Sequence, residues 1–466
     1  MNRKKILTLT AATACWLSLC GQTNTEMTQA HQAQTTPAKQ TGQWTLDDCI
    51  RHALANNISL KKTVNAKASA AEDVKQARAA LLPSLSASTN HSIGYRPWVN
   101  DGVSTVTNGT VATSINKSYY NGSYGINANW TVWNGNQNFN TLKLNKLTDR
   151  QAELDSAITA NSIQEQIVQL YVQILYLNEA VNVNRQSLET SLKNEERGRE
   201  MVEVGCMSKA DLAQLTAQTA LDRYNIVESE SNLANYKLQL KQLLEITDGQ
   251  PFDIYIPNTK DETALGDIPP LEETYAKALT GRPEIAQSRL NIESSRLNIS
   301  IAKASYLPTL SVTGGVGTSN SSMSDKTWGR QIKTNFDASV GASLSIPILD
   351  NRKTKTAVNK ARLQLADSQL DLLEQQKKLY STVEGYWLDA NTNQQKLKAA
   401  IASVESEQAS YDLLSEQFRL GLKNIVELMT GKTNLLQAQQ SRLQSKYMTL
   451  LSLQLLRFYQ GEKMEL

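Results

Sequence analysis

The chain repeats itself once. Leu46-Asp-Asp-Cys-Ile-Arg-His-Ala-Leu54 resembles Leu271-Glu-Glu-Thr-Tyr-Ala-Lys-Ala-Leu279, and Ala77-Arg-Ala-Ala-Leu-Leu-Pro-Ser-Leu-Ser86 resembles Ala302-Lys-Ala-Ser-Tyr-Leu-Pro-Thr-Leu-Ser311, both 225 positions apart. Further along, Val204-Gly205 matches Leu420-Gly421 and Asp211-Leu212 matches Glu427-Leu428, now 216 apart. The first half therefore holds nine extra residues between Ser86 and Val204, most simply in the loop around Arg96 to Lys117. A duplicated chain builds one supersecondary unit twice, which excludes most folds a chain of this length could adopt.

Each half follows the order helix, strand, loop, strand, long helix, turn, helix. Thr45 is placed to cap a helix running to about Leu82, where Pro83 ends it. The period then switches to two. Leu85, Ala87, Thr89, Ile93 and Tyr95 alternate with Ser84, Ser86, Ser88, Asn90 and Ser92. Tyr120, Tyr124, Ile126, Ala128, Trp130 and Val132 alternate with Asn121, Ser123, Asn127, Asn129 and Thr131. The second half repeats this. Leu310, Val312 and Val316 oppose Ser311, Thr313 and Gly315, and a longer run from Phe336 to Ile348 alternates with Asn335, Asp337, Ser339, Ser343 and Ser345. Apolar on one face and small, neutral and polar on the other is the pattern of a membrane β-barrel strand. A soluble, half-buried sheet alternates in the same way. Strand length, an export signal and the lack of a compact partner for the sheet favour the membrane. Four strands cannot close a barrel, since about eight are needed, so identical subunits must complete it.

The helices are long. Residues 138–204 contain no proline and only Gly198, and residues 350–420 contain only Gly385. About 67 residues at 1.5 Å each make a rod of roughly 100 Å. Ile163, Ile167, Leu170, Ile174 and Leu177 recur at threes and fours, a narrow apolar seam between two wettable sides. Shorter partner helices follow at about Lys209–Leu244 and Asn424–Phe458. Composition agrees, because Gly is 22 and Pro 10 of 466 residues, too few turn-formers for many short elements. The domain boundaries are a signal at 1–20, a disordered stretch at 21–43, a first repeat at 44–250, a proline-containing linker or irregular equatorial collar at 251–270 and a second repeat at 271–466.

Arg3, Lys4 and Lys5 before an apolar run to Cys20 make an export signal. Cleavage falls after Ser18-Leu19-Cys20, or Cys20 is lipidated; bulky Leu19 weighs against the lipid. Later in the chain there is no run of 18 apolar residues for a spanning helix. Lys+Arg 48 against Asp+Glu 45 leaves no electrostatic footprint for nucleic acid. His31, His52 and His91 stand far apart, and no phosphate loop, dinucleotide fingerprint or nucleophile elbow is present. No enzyme activity, metal or cofactor is expected. Cys49 and Cys206, the cysteines outside the signal, form no disulfide framework.

Taken in order and in duplicate, these segments resemble the TolC-like outer-membrane efflux channels. The resemblance rests on the Leu46–Leu60 helix, the two Leu-Pro-x-Leu helix-to-strand entries, the strand exits Trp130-Thr-Val-Trp-Asn-Gly135 and Ile346-Pro-Ile-Leu-Asp-Asn351, and the tips Val204-Gly205 and Leu420-Gly421. It covers nearly all of the mature chain. Asn351 and Arg352 depart from the Gly-Gly often found after the second strand exit. The resemblance implies an α+β membrane protein: a homotrimer with a twelve-stranded outer-membrane barrel above a tube of long antiparallel helices. It implies a passive exit duct of a tripartite efflux or type I secretion system, partnered by a periplasmic adaptor, an inner-membrane pump of the RND, ABC or MFS type, and outer-membrane lipid. The competing reading is an exported coiled-coil or adhesin-like protein without a channel.

The same resemblance marks the tips 203–211 and 419–427, with Gly205 and Gly421 at their turns, as gate and adaptor-docking region. Asp211, Phe418, Lys423 and Glu427 are its candidate gate and constriction residues. Thr430 stands where a second acidic ring would fall. An acid at a helix start is also explained by the helix dipole alone. Tyr119, Tyr120, Trp130, Trp133 and Trp328, near strand ends, are candidates for aromatic belts at the membrane surface.

Overall fold

The computed structural model describes residues 43–98, 102–104, 113–247, 249, 252–257 and 259–464. The export signal, Cys20 and the polar stretch to residue 42 lie outside the described residues. Gln43, expected within that stretch, opens the two-residue strand Gln43–Trp44.

Eight helices carry the architecture. The first half holds α1 (Leu46–Asn56), α2 (Ile58–Ala79), α3 (Gln137–Glu203) and α4 (Lys209–Leu243). The second holds α5 (Leu271–Gly281), α6 (Pro283–Ala304), α7 (Lys353–Arg419) and α8 (Ile425–Tyr459). Their lengths are 11, 22, 67 and 35 residues in both halves. The change in spacing between the halves falls between α2 and α3, within the strand–loop–strand segment.

The opening helix is not continuous to Leu82. It breaks at Asn57, whose extended ψ of 129° ends α1 and whose side chain accepts from the amides of Ser59 and Leu60 to start α2. Asn57 also donates to the Leu243 carbonyl at 3.2 Å, tying the break to the end of α4. In the second half Arg282, at ψ 130°, precedes Pro283 at the first position of α6. An apolar period of 3.6 runs through such a break unchanged, so periodicity alone did not reveal it.

Four strands form one antiparallel meander in chain order: β1 (Ser84–Tyr95), β2 (Ser118–Trp133), β3 (Thr309–Ser321) and β4 (Asp337–Ser345). The fourth is shorter than the alternation from Phe336 to Ile348 predicts. Its ladder ends at Ser345, two residues before Pro347, which has no N–H to donate. Register aligns the apolar faces. Leu85, Ala87 and Ile93 stand opposite Ala128, Ile126 and Tyr120; Ile126 and Trp130 oppose Val316 and Val312; Val312 and Leu310 oppose Ala342 and Leu344. A bulge between Thr131 and Trp133 brings Trp133 opposite Leu310, onto the apolar face. The reverse face is Ser84, Ser86, Asn127, Asn129, Ser311, Thr313 and Ser343.

Between strand and rod, each half makes the same turn. Gly135 and Asn136 take φ of 67° and 65°, and Asn351 and Arg352 take 50° and 67°. Side-chain oxygens from the residue before the turn accept a rod amide in both cases: Asn134 from Asn138 at 3.2 Å and Asp350 from Thr354 at 2.8 Å. The Thr354 contacts hold the Asp350 carboxyl below its ordinary pKa.

The largest core lies at mid-height of the rods. Ile163, Ile167, Tyr171, Ile174 and Leu175 of α3 pack with Cys49 of α1, Leu240 of α4, Leu397 of α7 and Leu450 of α8. Burial pushes the Cys49 thiol up to about 12, leaving it an inert packing group. The proline-containing segment expected as a linker or equatorial collar is packed here. Ile254 and Ala264 are fully buried, the Tyr255 carbonyl accepts from Tyr171 Oη at 2.6 Å, and Gln394 donates to the Gly266 carbonyl at 2.8 Å.

Arg352 holds a left-handed conformation that costs a side-chain-bearing residue about 1–2 kcal/mol. Arg352→Gly is therefore expected to raise the thermal midpoint of the detergent-extracted protein. Gly135→Ala is expected to lower it, since its Cβ would fall 2.9 Å from the Ala304 carbonyl. Equal midpoints for both variants and the parent would contradict the turn analysis.

Candidate functional site

Two regions carry the residues singled out from the sequence: the sheet, and the ends of the rods furthest from it. On the sheet, Tyr120 and Trp130 share the apolar face at opposite ends of β2. Ten residues at about 3.4 Å span roughly 34 Å, or about 26 Å of membrane normal at a 40° tilt, close to the usual apolar band. Trp130 donates its indole N–H to the Leu81 carbonyl at 2.9 Å, fixing the ring at the sheet–helix junction. Trp133 joins it there through the bulge. Trp328 starts a short helix, Trp328–Thr334, in the second hairpin connection and is exposed. Tyr119 sits apart from these on the polar face. It lies across Gly94 in register, with the Arg96 guanidinium 4.7 Å from its ring centre.

At the far ends, each rod turns into its partner helix through five residues, 204–208 and 420–424. Gly205 and Gly421 have φ of 78° and 74° with no atom near an added Cβ. Cys206 N–H donates to the Met201 carbonyl and Leu422 N–H to the Gln417 carbonyl, at 2.7 and 2.9 Å. With Gly205 donating to Val202 and Gly421 to Phe418, both turns are Schellman caps. Ser208 then caps α4, accepting from Asp211 N–H at 3.1 Å, while its hydroxyl donates to the Asp211 carboxylate at 2.8 Å. Asn424 caps α8 in a full capping box with Glu427. Lys423 Nζ donates to Glu427 Oε1 at 2.8 Å. That contact, with the Asn424 amide, holds the Glu427 carboxyl below its ordinary pKa.

The structure thus brings Lys423 and Glu427 together, Lys423 exposed and Glu427 half-buried, with Asp211, also half-buried, in the equivalent place on the other turn. Phe418 is placed differently. It is 3% exposed, packed with Tyr411, Ile425 and Leu428 inside the tip, so within the chain it supports the turn and does not line an opening. The aliphatic residues Val204, Leu420, Leu422 and Val426 stand exposed at the tips instead.

Sequence reasoning missed a buried polar cluster further up. Lys432 of α8 is ion-paired to Asp222 of α4, and both contact Ser191 of α3. Gln218 donates to the other Asp222 oxygen at 2.9 Å. Burial pushes the Lys432 amine down, opposed by the Asp222 carboxylate. Three helices from both halves meet at this pair. Nearby, buried Asn194 donates to Tyr411 Oη at 3.1 Å, joining α3 to α7. Neither spacing has a local signal, because the partners lie more than 200 positions apart. Among the described residues, no His/Cys/Asp/Glu group could hold a metal ion.

Removing one member of a buried pair strands the other charge, at about 3–5 kcal/mol. Lys432→Met alone or Asp222→Leu alone is expected to lower the thermal midpoint sharply, and the double variant to recover much of the loss. A double variant as unstable as the sum of the singles would show that the pair is not coupled.

The described chain therefore has a register-aligned amphipathic sheet, two long helical hairpins and closed, capped tips. It aligns with "Outer membrane protein TolC" of Escherichia coli at 23% identity over 407 residues, 85% of this chain and 78% of that protein. Two solved structures share the fold. One is CusC, with a TM-score of 0.75 and 15% identity, covering 90% of this chain and 92% of the other. The second is the Campylobacter jejuni CmeC outer membrane channel, with a TM-score of 0.73 and 20% identity, covering 90% and 87%. The family model described as "Outer membrane efflux protein" matches residues 49–245 and 274–462, one stretch in each half, and the chain belongs to that family.

Proposed function

We propose that the chain is one subunit of a trimeric outer-membrane exit duct, passively conducting substrates from an inner-membrane pump through the periplasm and out of the cell. The observation that carries this reading is the sheet. Its apolar face is continuous across four strands, and among the described residues its two outer strands have no partner. Val340 and Ile93, on those edges, are 85% and 83% exposed. A backbone edge facing lipid leaves unsatisfied groups at several kcal/mol each, so the sheet must be closed by copies of itself. Three copies supply twelve strands. A coiled-coil or adhesin-like protein has no need of an apolar face matched in register over four strands.

The helices support the same closure. Below the mid-height core the rods lie in the order α4, α3, α8, α7, so α4 and α7 are the free edges. Leu221, Tyr224 and Val227 of α4 are exposed at intervals of three, and Leu388 and Leu413 of α7 are exposed as well. A second copy, placing its α7 against α4, covers both sets.

In this duct the tips are the periplasmic entrance. Asp211, Lys423 and Glu427 form its charged gate, repeated three times about the axis. Gly205 and Gly421, with exposed Val204, Leu420, Leu422 and Val426, form the surface on which a periplasmic adaptor docks. Tyr120, Trp130, Trp133 and Trp328 sit at the two membrane surfaces.

Native mass spectrometry of the particle extracted from outer membranes is expected to give about 150 kDa, three chains of the mature protein. A monomer, or a protein absent from that membrane, would remove the duct. For the gate, Asp211→Lys with Glu427→Lys is expected to change single-channel conductance and cation preference in a planar bilayer. Unchanged conduction would take both residues out of the constriction.

The Glu427 carboxyl has a depressed folded-state pKa, so its contribution to the tip is present above the ordinary carboxylate value and lost as pH falls through the depressed one. The share of conductance that depends on Glu427, read as the difference between the parent and Glu427→Gln, is therefore expected to stay constant through mild acid and to vanish only below the usual Glu range.

A further inference from the structure

Directly beneath the sheet, unpaired basic side chains collect on one side of the helices. Lys143, Lys146 and Arg150 of α3 and Arg296 of α6 rim a groove of about 610 Å³ whose floor includes Leu147 and Leu297. A second groove, of about 380 Å³, lies between α6 and α7, where Lys303, Lys355 and Arg362 surround Tyr306 and Val358. All seven basic side chains are exposed, and among the described residues none makes an ion pair. Asp149 and Glu293 are the acids lining the first groove; the second has none.

Helix geometry gives the side on which the grooves open. On α3, Asn145 and Glu153 contact α2, while Gln151 and Asp155 contact α6. At about 100° per residue these two contact directions lie roughly 140° apart. The narrow sector between them holds Thr148 and Ala152, small and neutral like the polar face of the sheet. The wide sector holds Lys143, Lys146, Leu147 and Arg150. On α6, Gln287, Asn291 and Ser294 face α3 and Ser295 faces α7. These again enclose a narrow sector, and the wide one carries Glu293, Arg296 and Leu297. In a helical wall curving round a lumen, the narrow sector faces the axis and the wide sector faces outward. Lys303, eight residues after Ser295, falls in the same wide sector, so both grooves open on the outside.

Their height is set by the chain. Lys303 is the next-to-last residue of α6 and Lys355 the third of α7, each a few residues from a strand, and Arg150 is about 20 Å below the start of α3. Trp130 and Trp133 stand just above. The lipid headgroup layer facing the periplasm, about 5–7 Å thick, with a Debye length of about 8 Å beyond it, reaches Lys303, Lys355, Lys143 and Lys146, while Arg150 closes the lower end of the first groove.

We propose that these two grooves bind the anionic headgroups of phospholipids in the periplasmic leaflet, with the Tyr306 surface, nearest the sheet, taking the glycerol backbone. This rests on the membrane-barrel reading of the sheet. Basic side chains near a membrane attract anionic lipid, and those flanking an apolar floor also seat it. The function is to hold the barrel at a defined depth above a tube that has no membrane contact of its own.

The test uses the full-length particle extracted from outer membranes, delipidated and titrated with dioleoylphosphatidylglycerol or dioleoylphosphatidylcholine, with bound lipid counted by native mass spectrometry. The parent is expected to bind phosphatidylglycerol at least about tenfold more tightly than phosphatidylcholine, with the preference falling in high salt. Two variants, Lys303→Gln/Lys355→Gln/Arg362→Gln and Lys143→Gln/Lys146→Gln/Arg150→Gln/Arg296→Gln, are expected each to lose part of that preference. Heat-modifiable migration, measured in parallel, reports the barrel separately. A parent that migrates as a folded barrel but binds both lipids equally overturns the proposal and leaves the duct standing. Variants that keep full lipid preference but change ion selectivity in a planar bilayer also overturn it, because the charges would then line the lumen. A parent lacking a heat-modifiable form overturns the barrel reading itself.

Discussion

Hydrogen bonds that one chain cannot make govern this structure. The sheet pairs β1 to β2, β2 to β3 and β3 to β4, then stops with a bare strand on each side. In water such edges are tolerable. Beside lipid they are not, because no solvent replaces the missing partners. The apolar face, aligned in register over all four strands, points the sheet towards lipid. In the proposed duct those two facts make association a condition of folding, and association would cover the exposed aliphatic residues on α4 and α7, the helices that continue the free edges below.

The helices obey a second constraint, wetness on two sides. A wall between an aqueous lumen and the periplasm can bury only the seams between neighbouring rods. Few residues in α3 and α7 are buried outside those seams, and the seams carry polar contacts such as Gln151 with Asn291 and Ser295 with Ser368. Stability is concentrated where a third layer exists. At mid-height α1, the ends of α4 and α8 and the segment from Phe252 to Gly266 wrap the rods, and there Ile167, Tyr171 and Leu397 become fully enclosed. The proline-containing segment reads in sequence as a linker or an equatorial collar. Its Tyr255 and Gly266 carbonyls accept from Tyr171 and Gln394, which ties it to both rods as a belt.

At the tips, local and tertiary chemistry separate cleanly. Glu427 and Asp211 are held by their own helix caps, so their placement follows from residues three positions away. Phe418 was expected at the opening because of where it falls in the chain relative to the second tip. It packs inward, because an aromatic residue one turn before a tight helical cap has apolar neighbours from its own hairpin. The Lys432–Asp222–Ser191 cluster had no expectation attached to it. Its members come from three helices and meet only after both hairpins have packed.

The sequence by itself determined what depends on short-range periodicity: the two rods, their partner helices, the alternating strands, the glycine turns and the capping residues of the tips. These follow from repeats of two and 3.6 residues and from side chains acting on their own backbone. Its family was also legible, through motifs recurring in order in both halves. Only the tertiary structure decided the breaks at Asn57 and Arg282, the bulge that turns Trp133 to the apolar face, the inward packing of Phe418, the buried ion pair and the outward grooves. The bulge, the ion pair and the grooves depend on contacts between segments tens to hundreds of residues apart, as do the Asn57–Leu243 and Arg282–Glu165 bonds at the breaks, and Phe418 depends on its own hairpin folding back; a local pattern does not encode these.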